Sequence, residues 1–258
     1  METVQDIIGC LDKLAPQEMA QEWDNVGLMT GDRNAQVTKI LTALDVDEWV
    51  VSEAVKCGAD MIVTHHPLIF SPLKTVTSDT YEGRCILAAA RYGIAIFSAH
   101  TNLDAAEGGT NDYLARLYEL ERVGPLPIAG EENLGRVGEI PPQRLGDLAK
   151  TVAVKLGISS VEVIGNVDRI VRRVAICSGG GGSFVTPQLL DVCDVYITGD
   201  IKYSNARDAH NIGLNVIVAP HYETEKYAMR ILADWCKKQL PDVEVVCSQA
   251  NRNVIGRV

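Results

Sequence analysis

Paired cysteines, long apolar runs and net positive charge are all missing from this sequence of 258 residues. The seven cysteines, at positions 10, 57, 85, 177, 193, 236 and 247, are odd in number, scattered, and never spaced Cys-x-x-Cys. That usage argues against a disulfide framework and belongs to a reducing compartment, so a cytoplasmic protein is expected. No run approaches the ~20 apolar residues of a membrane span. The opening "METVQDIIGCLDKLAP" is amphipathic and acidic, without the basic-then-apolar order of a signal peptide. A net charge of −10 opposes general binding to nucleic acid or to anionic membrane, because a phosphate backbone is held by clustered Lys and Arg. Histidine is scarce as well, with five in the chain, yet two of them are adjacent in "DMIVTHHPLIF".

What is present is ordinary globular composition, 47 % hydrophobic and 22 % charged, in a chain long enough for one large or two small domains. Residues 3 to 14 carry Val4, Ile7, Ile8 and Leu11 at helical spacing, and Pro16 ends the helix. "EWDNVGL" reads as an ordered loop with Asp24, Asn25 and Gly27 as turn formers. Strands are expected at 40–46, 61–66 and 94–100, with helices from Asp47 to about Cys57, Tyr81 to Tyr92, and Asn111 to about Leu120. Residues 123 to 142 hold four of the ten prolines and suggest a connection. A helix over 143–158 and a short strand in "SVEVIG" follow. The second half repeats the alternation: strands near 174–180, 195–200 and 215–221, a helix from about Phe184 to Val192, a helix in "SNARDAHNIG", a long helix in "TEKYAMRILADWCKKQL" and a last strand in "VEVVCS". The predicted class is α/β, two related subdomains with mainly parallel sheets, divided as 1–124, a connecting segment 125–170, and 171–258.

Overlaying the halves aligns three strands in the same order, and the ends of those strands carry the chemistry. The third strands run into "SAHTNLD" and "APHYETE", each a histidine with a carboxylate four positions on: His100 with Asp104, and His221 with Glu225. A helical turn there sets i and i+4 on one face. His65 and His66 end another first-half strand, and Gly199-Asp200 end its counterpart. Imidazole and carboxylate together suit Zn, Mn or Fe, and the absence of cysteine from these loops opposes a structural zinc knot. Five or more candidate ligands exceed one tetrahedral ion and fit two. On an extended segment the adjacent rings of His65 and His66 are expected to diverge, each toward a different ion. His210 falls within a helix pattern and reads as surface or core. The run "SGGGGS", Ser178 to Ser183, reads as a flexible turn or a close backbone packing. The alternative is an anion or substrate site at Gly179, Gly180, Gly181 and Gly182, although the Gly-Lys-Ser/Thr of a P-loop is missing.

Taken together, "EWDNVGL", "THHP", "SAHTNLD" with "GGTND", "SGGGGS", "TGDIKY" and "HYETEK" resemble, over nearly the whole chain, the Nif-three-like family. Its members are also called dinuclear metal centre hexameric proteins and often carry the label GTP cyclohydrolase I type 2. The resemblance implies a two-subdomain α/β protomer, a homohexamer, and two divalent transition-metal ions in the cleft between subdomains. It implies His65, His66, Asp104, His221 and Glu225 as metal ligands, with Asp104 or Glu225 able to bridge, and His100 as a nearby catalytic acid/base. "NRNVIG" has Asn253-Val254 where Asn-Pro is expected, a departure away from these residues. The implied function is a dinuclear metal-dependent hydrolase of a small nucleotide-like substrate, with GTP ring opening and formate release as the labelled reaction. Alternatives on the same residues are a metal-dependent phosphatase or phosphodiesterase, and a non-catalytic metal-binding scaffold.

Overall fold

The computed structural model describes residues 1–127 and 133–256. The chain forms two units, one of Met1–Gly109 with Ala228–Val258, the other of Thr110–Tyr227. In the first, three parallel strands, Lys39–Ala43, Met61–Thr64 and Ala95–Ser98, lie side by side. The antiparallel strand Gly27–Thr30 closes one edge, and Glu244–Cys247 pairs parallel at the other. Crossover helices Glu48–Cys57 and Tyr81–Tyr92 link the three strands. Both form where their caps dictate. Asp47 accepts from the Val50 amide and Thr80 from the Gly83 amide, while Gly58 and Gly93 end the helices in the left-handed conformation that costs glycine least. Leu41, Ile62 and Ile96 of the sheet pack against Val50, Val51, Cys85 and Ala89 of these helices.

The second unit repeats the plan. Ile170–Cys177, Val195–Thr198 and Asn215–Val218 are parallel neighbours, and Glu162–Ile164, which precedes them in the chain, closes one edge antiparallel, as Gly27–Thr30 does in the first unit. The internal repeat therefore extends to a fourth strand. Alternate residues of the strand Ile170–Cys177 serve opposite faces. Val174 and Ile176 join a core with Leu148 and Val152 of the helix Leu145–Leu156, while Ala175 and Cys177 join one with Tyr196, Ala209 and Leu189.

The observed division departs from 1–124 and 171–258 for two reasons. The last strand hydrogen-bonds into the first sheet, carrying the C-terminal segment with it. The proline-rich stretch supplies strands Glu121–Pro125 and Arg136–Arg144 to the second sheet, although its residues 128–132 lie outside the described ones. Pro141 and Pro142 are tolerated because the register with Ile170–Cys177 shifts there, between Val171 and Arg173, so the missing amides break no ladder. The helix expected over 184–192 is shorter: a turn of 3-10 helix at Gly181–Phe184, then Leu189–Val192, with Pro187 between them. Among the described residues no helix is long and apolar enough to cross a membrane.

Candidate metal centre

In the first unit the strand Met61–Thr64 ends on two successive amides, those of His65 and His66, which donate to the carbonyls of Ala43 and Leu44. A parallel strand offers only alternate amides to one neighbour, so the pleat is broken here. The expected divergence of the two rings is not met: they lie 5.1 Å apart between centroids, and His100 lies 5.2 and 5.5 Å from them. One ring nitrogen from each of the three falls within 4.8 Å of the others, a group able to hold a metal ion. His100 precedes the helix Thr101–Ala105, and four residues on, Asp104 sets Oδ2 at 3.7 Å from His65 Nε2.

Each ring is held from behind. His65 Nδ1 bonds the Ala99 carbonyl at 2.9 Å, His66 Nδ1 the Asp45 carboxylate at 2.7 Å, and His100 Nδ1 the Asp24 carboxylate at 2.8 Å. Because all three partners only accept, the proton of a neutral ring sits on Nδ1, and Nε2 keeps the lone pair a metal requires. Burial pushes the Asp24 carboxyl up, but the hydrogen bond and charge of His100 and the bonds from Thr101 outweigh it and hold it at about 2. Asp24 is thus a fixed negative charge behind the ring.

In the second unit His221 opens the helix His221–Glu225, where the i, i+4 spacing brings Nε2 to 2.7 Å from Glu225 Oε2. Its Nδ1 bonds Asp200, which follows the strand Val195–Thr198, at 2.8 Å. Burial alone lowers the imidazole pKa; the bonds and charges of Glu225 and Asp200 reverse that and raise it to about 9. Two carboxylates around one ring make this a place that favours a cation.

The glycine loop packs against the same pair. Gly179 has φ +60°, and a Cβ there would overlap Glu225 Oε1 and stand 3.2 Å from His221 Nε2. Its amide donates to Thr224 Oγ1, whose hydroxyl in turn donates to the His221 carbonyl. Gly181 is pressed on Tyr196 and Thr198, and Gly182, whose amide donates to the Asp200 carbonyl, on Ile201. Gly180 alone of the four faces open space. Close packing therefore accounts for Gly179, Gly181 and Gly182, and of the four amides those of Gly179 and Gly182 are already engaged within the protein. His210 lies exposed on the helix Tyr203–Ile212.

Nitrogen and oxygen donors with fixed tautomers suit a divalent transition metal, so the residues fit such an ion. Residues 2–254 match the family model of Duf34/NIF3 (NGG1p interacting factor 3). The chain belongs to the Duf34/NIF3 family. It is 37 % identical over 253 residues to a Lactococcus lactis protein named GTP cyclohydrolase 1 type 2 homolog, covering 97 % of each chain. It is 34 % identical to a protein of the same name from Clostridium perfringens, covering 95 % of this chain and 96 % of that one. Among solved structures, the Bacillus cereus protein related to NIF3 superposes with a TM-score of 0.90 at 25 % identity, over 100 % and 99 % of the two chains. Reduced HcgD from Methanocaldococcus jannaschii gives 0.82 at 31 % identity, over 95 % and 97 %.

Asp24 and Asp45 escaped sequence reasoning. Asp24 looks like a turn former in "EWDNVGL", and Asp45 falls inside the strand expected at 40–46, which in the structure ends at Ala43. The available signal was position: Asp45, like Asp200, follows the carboxyl end of a parallel strand, where ligand-directed residues collect in such sheets.

Proposed function

We propose that this chain is a dinuclear, divalent-metal-dependent hydrolase of a small nucleotide-like molecule, with opening of the GTP imidazole ring and release of formate as the reaction. In this reading the His65, His66 and Asp104 cluster and the His221 and Glu225 pair serve one centre of two Zn, Mn or Fe ions. The observation that carries it is the arrangement of rings in the first unit, each Nδ1 bound to an acceptor and a ring nitrogen from each within 4.8 Å of the others. The names of the relatives support the substrate class.

When bound, such ions bring a water's pKa toward neutrality and polarise the attacked centre. The chain's own part is to position and to move protons. His100, its Nδ1 proton held on Asp24, exchanges a proton at Nε2 with the reacting group. Asp45 and Asp200 keep His66 and His221 in the same tautomer. The backbone at Gly180 and Gly181 is the part of the glycine loop assigned to the substrate's phosphates. Assembly as a homohexamer belongs to the same proposal and is read by sedimentation.

The test has two arms. Purified protein should carry about two transition-metal ions per chain, and His65→Ala or Glu225→Ala should lower that number; unchanged content removes the ligand assignment. Metal-loaded protein incubated with GTP and a nucleotide panel should then release formate. Phosphate without formate moves the assignment to a phosphatase or phosphodiesterase, and neither product moves it to a metal-binding scaffold.

A further inference from the structure

Beside the histidine cluster of the first unit two large aromatic rings stand in solvent. Trp23 is 52 % exposed and Phe70 50 %. They come from separate loops, yet their centroids are 6.2 Å apart, and each lies 6.4 Å from the His100 ring, which meets both edge-on at 76° and 79°. The rings are not loose. Trp23 adjoins Asp24, whose carboxylate accepts from the Thr101 amide at 3.0 Å and holds His100. Phe70 adjoins Ile69, whose carbonyl accepts from the Asn25 side chain. The same short loop segment thus anchors itself to the histidine cluster and to the second aromatic loop. Rings exposed singly need no explanation, but two pinned together beside a candidate reaction centre form a prepared apolar surface.

We propose that Trp23 and Phe70 form a platform on which the substrate's purine stacks, with its edge toward His100. This rests on the reading of a nucleotide-like substrate and names the residues that take its base. At 51° to each other the two rings make an angled wall, not a parallel slot, so the base stacks on the wall and does not slide between them. A fused two-ring heterocycle is broad enough to touch both, and offset or tilted stacking on π faces favours a flat aromatic ring over a sugar or phosphate. No charge complementarity is required, which suits a chain of net charge −10.

The experiment measures guanosine binding to the full chain by equilibrium dialysis after chelator treatment, so that the outcome does not depend on metal. Ribose 5-phosphate serves as the ligand without a base. Wild-type protein should bind guanosine saturably and ribose 5-phosphate far more weakly. Trp23→Ala and Phe70→Ala should each weaken guanosine binding by about 5- to 150-fold, the usual loss on removing a stacking ring. Trp23→Phe should restore most of it, and Trp49→Ala, on the helix Glu48–Cys57, should change nothing. Circular dichroism and melting temperature show that the variants fold. No saturable guanosine binding, or wild-type affinity in both alanine variants, overturns the platform. So does a fall in sedimenting mass in those variants with guanosine binding intact, which would assign the rings to an interface between copies. Guanosine bound without any hydrolysis would leave the platform standing and remove the hydrolase reading. GTP hydrolysed with full rate by both alanine variants would do the reverse.

Discussion

Replacing Gly179 by alanine tests how far the glycine loop is part of the centre. Gly179 is held at φ +60°, where a side chain costs about 1–2 kcal/mol. The added Cβ would also stand 2.7 Å from Glu225 Cδ, while ordinary carbon contacts lie at about 3.5–4.0 Å. The carboxylate must therefore retreat by about 1 Å, or the loop must. Metal–ligand distances tolerate only about 0.2 Å, so if His221 and Glu225 bind metal as proposed the variant should lose metal affinity by one to two orders of magnitude, comparable with loss of an orienting partner. Competition with a chromogenic chelator reads the affinity, elemental analysis reads the ions per chain, and calorimetry separates a folding defect from a site defect. Gly180→Ala is the control, because a Cβ there meets nothing within 4 Å. Wild-type affinity in folded Gly179→Ala protein would refute the claim that this glycine is needed to seat Glu225.

Three further outcomes follow from the geometry. Asp24→Asn replaces a pure acceptor by a group able to donate, so His100 loses its fixed tautomer; formate release should fall by at least tenfold with metal content preserved, and an unchanged rate would exclude the proton-moving role. Arg136, 6 % exposed, gives its Nε to Asp112 and its Nη1 to the Asn133 and Gly135 carbonyls; Asp112→Ala should cost about 1.5–3 kcal/mol in denaturant titration, since it removes a charge-assisted hydrogen bond from a buried guanidinium. Burial raises the Asp194 pKa, but the Arg172 and Arg173 amides and the Arg173 guanidinium bring it below the ordinary carboxylate range. A depressed folded pKa means stability present above the unfolded value of about 3.9 and lost as pH falls through the folded one. The stability gap between wild type and Asp194→Asn should therefore close in acid below about pH 4, and a gap independent of pH would refute this.

Much of the fold was legible in one dimension because local physics decides it. Asp47, Thr80, Gly58 and Gly93 mark the ends of their helices by hydrogen bonding and left-handed geometry that need no distant partner. Short apolar runs such as Met61–Val63 and Val195–Ile197, bounded by polar residues, read as strands buried on both faces, and they are. The paired sequences around His100-Asp104 and His221-Glu225 pointed to the repeat and to the side chains that gather at the strand ends. Pairing across the chain was not legible, because a strand's sequence names no neighbour. Nothing in "VEVVCS" says that it lies beside Lys39–Ala43, and nothing in the proline-rich stretch says that it supplies two strands.

By itself the sequence determined the α/β class, the family, and which imidazoles and carboxylates are available, since residue type and spacing are properties of the chain. Only the tertiary structure decided that His65 and His66 turn together, that Asp24, Asp45 and Asp200 stand behind the rings, and that Gly179 packs where a Cβ would meet Glu225. Those depend on contacts spanning tens of residues, as between Asp24 and His100, which form only when the sheets bring separate loops to one place.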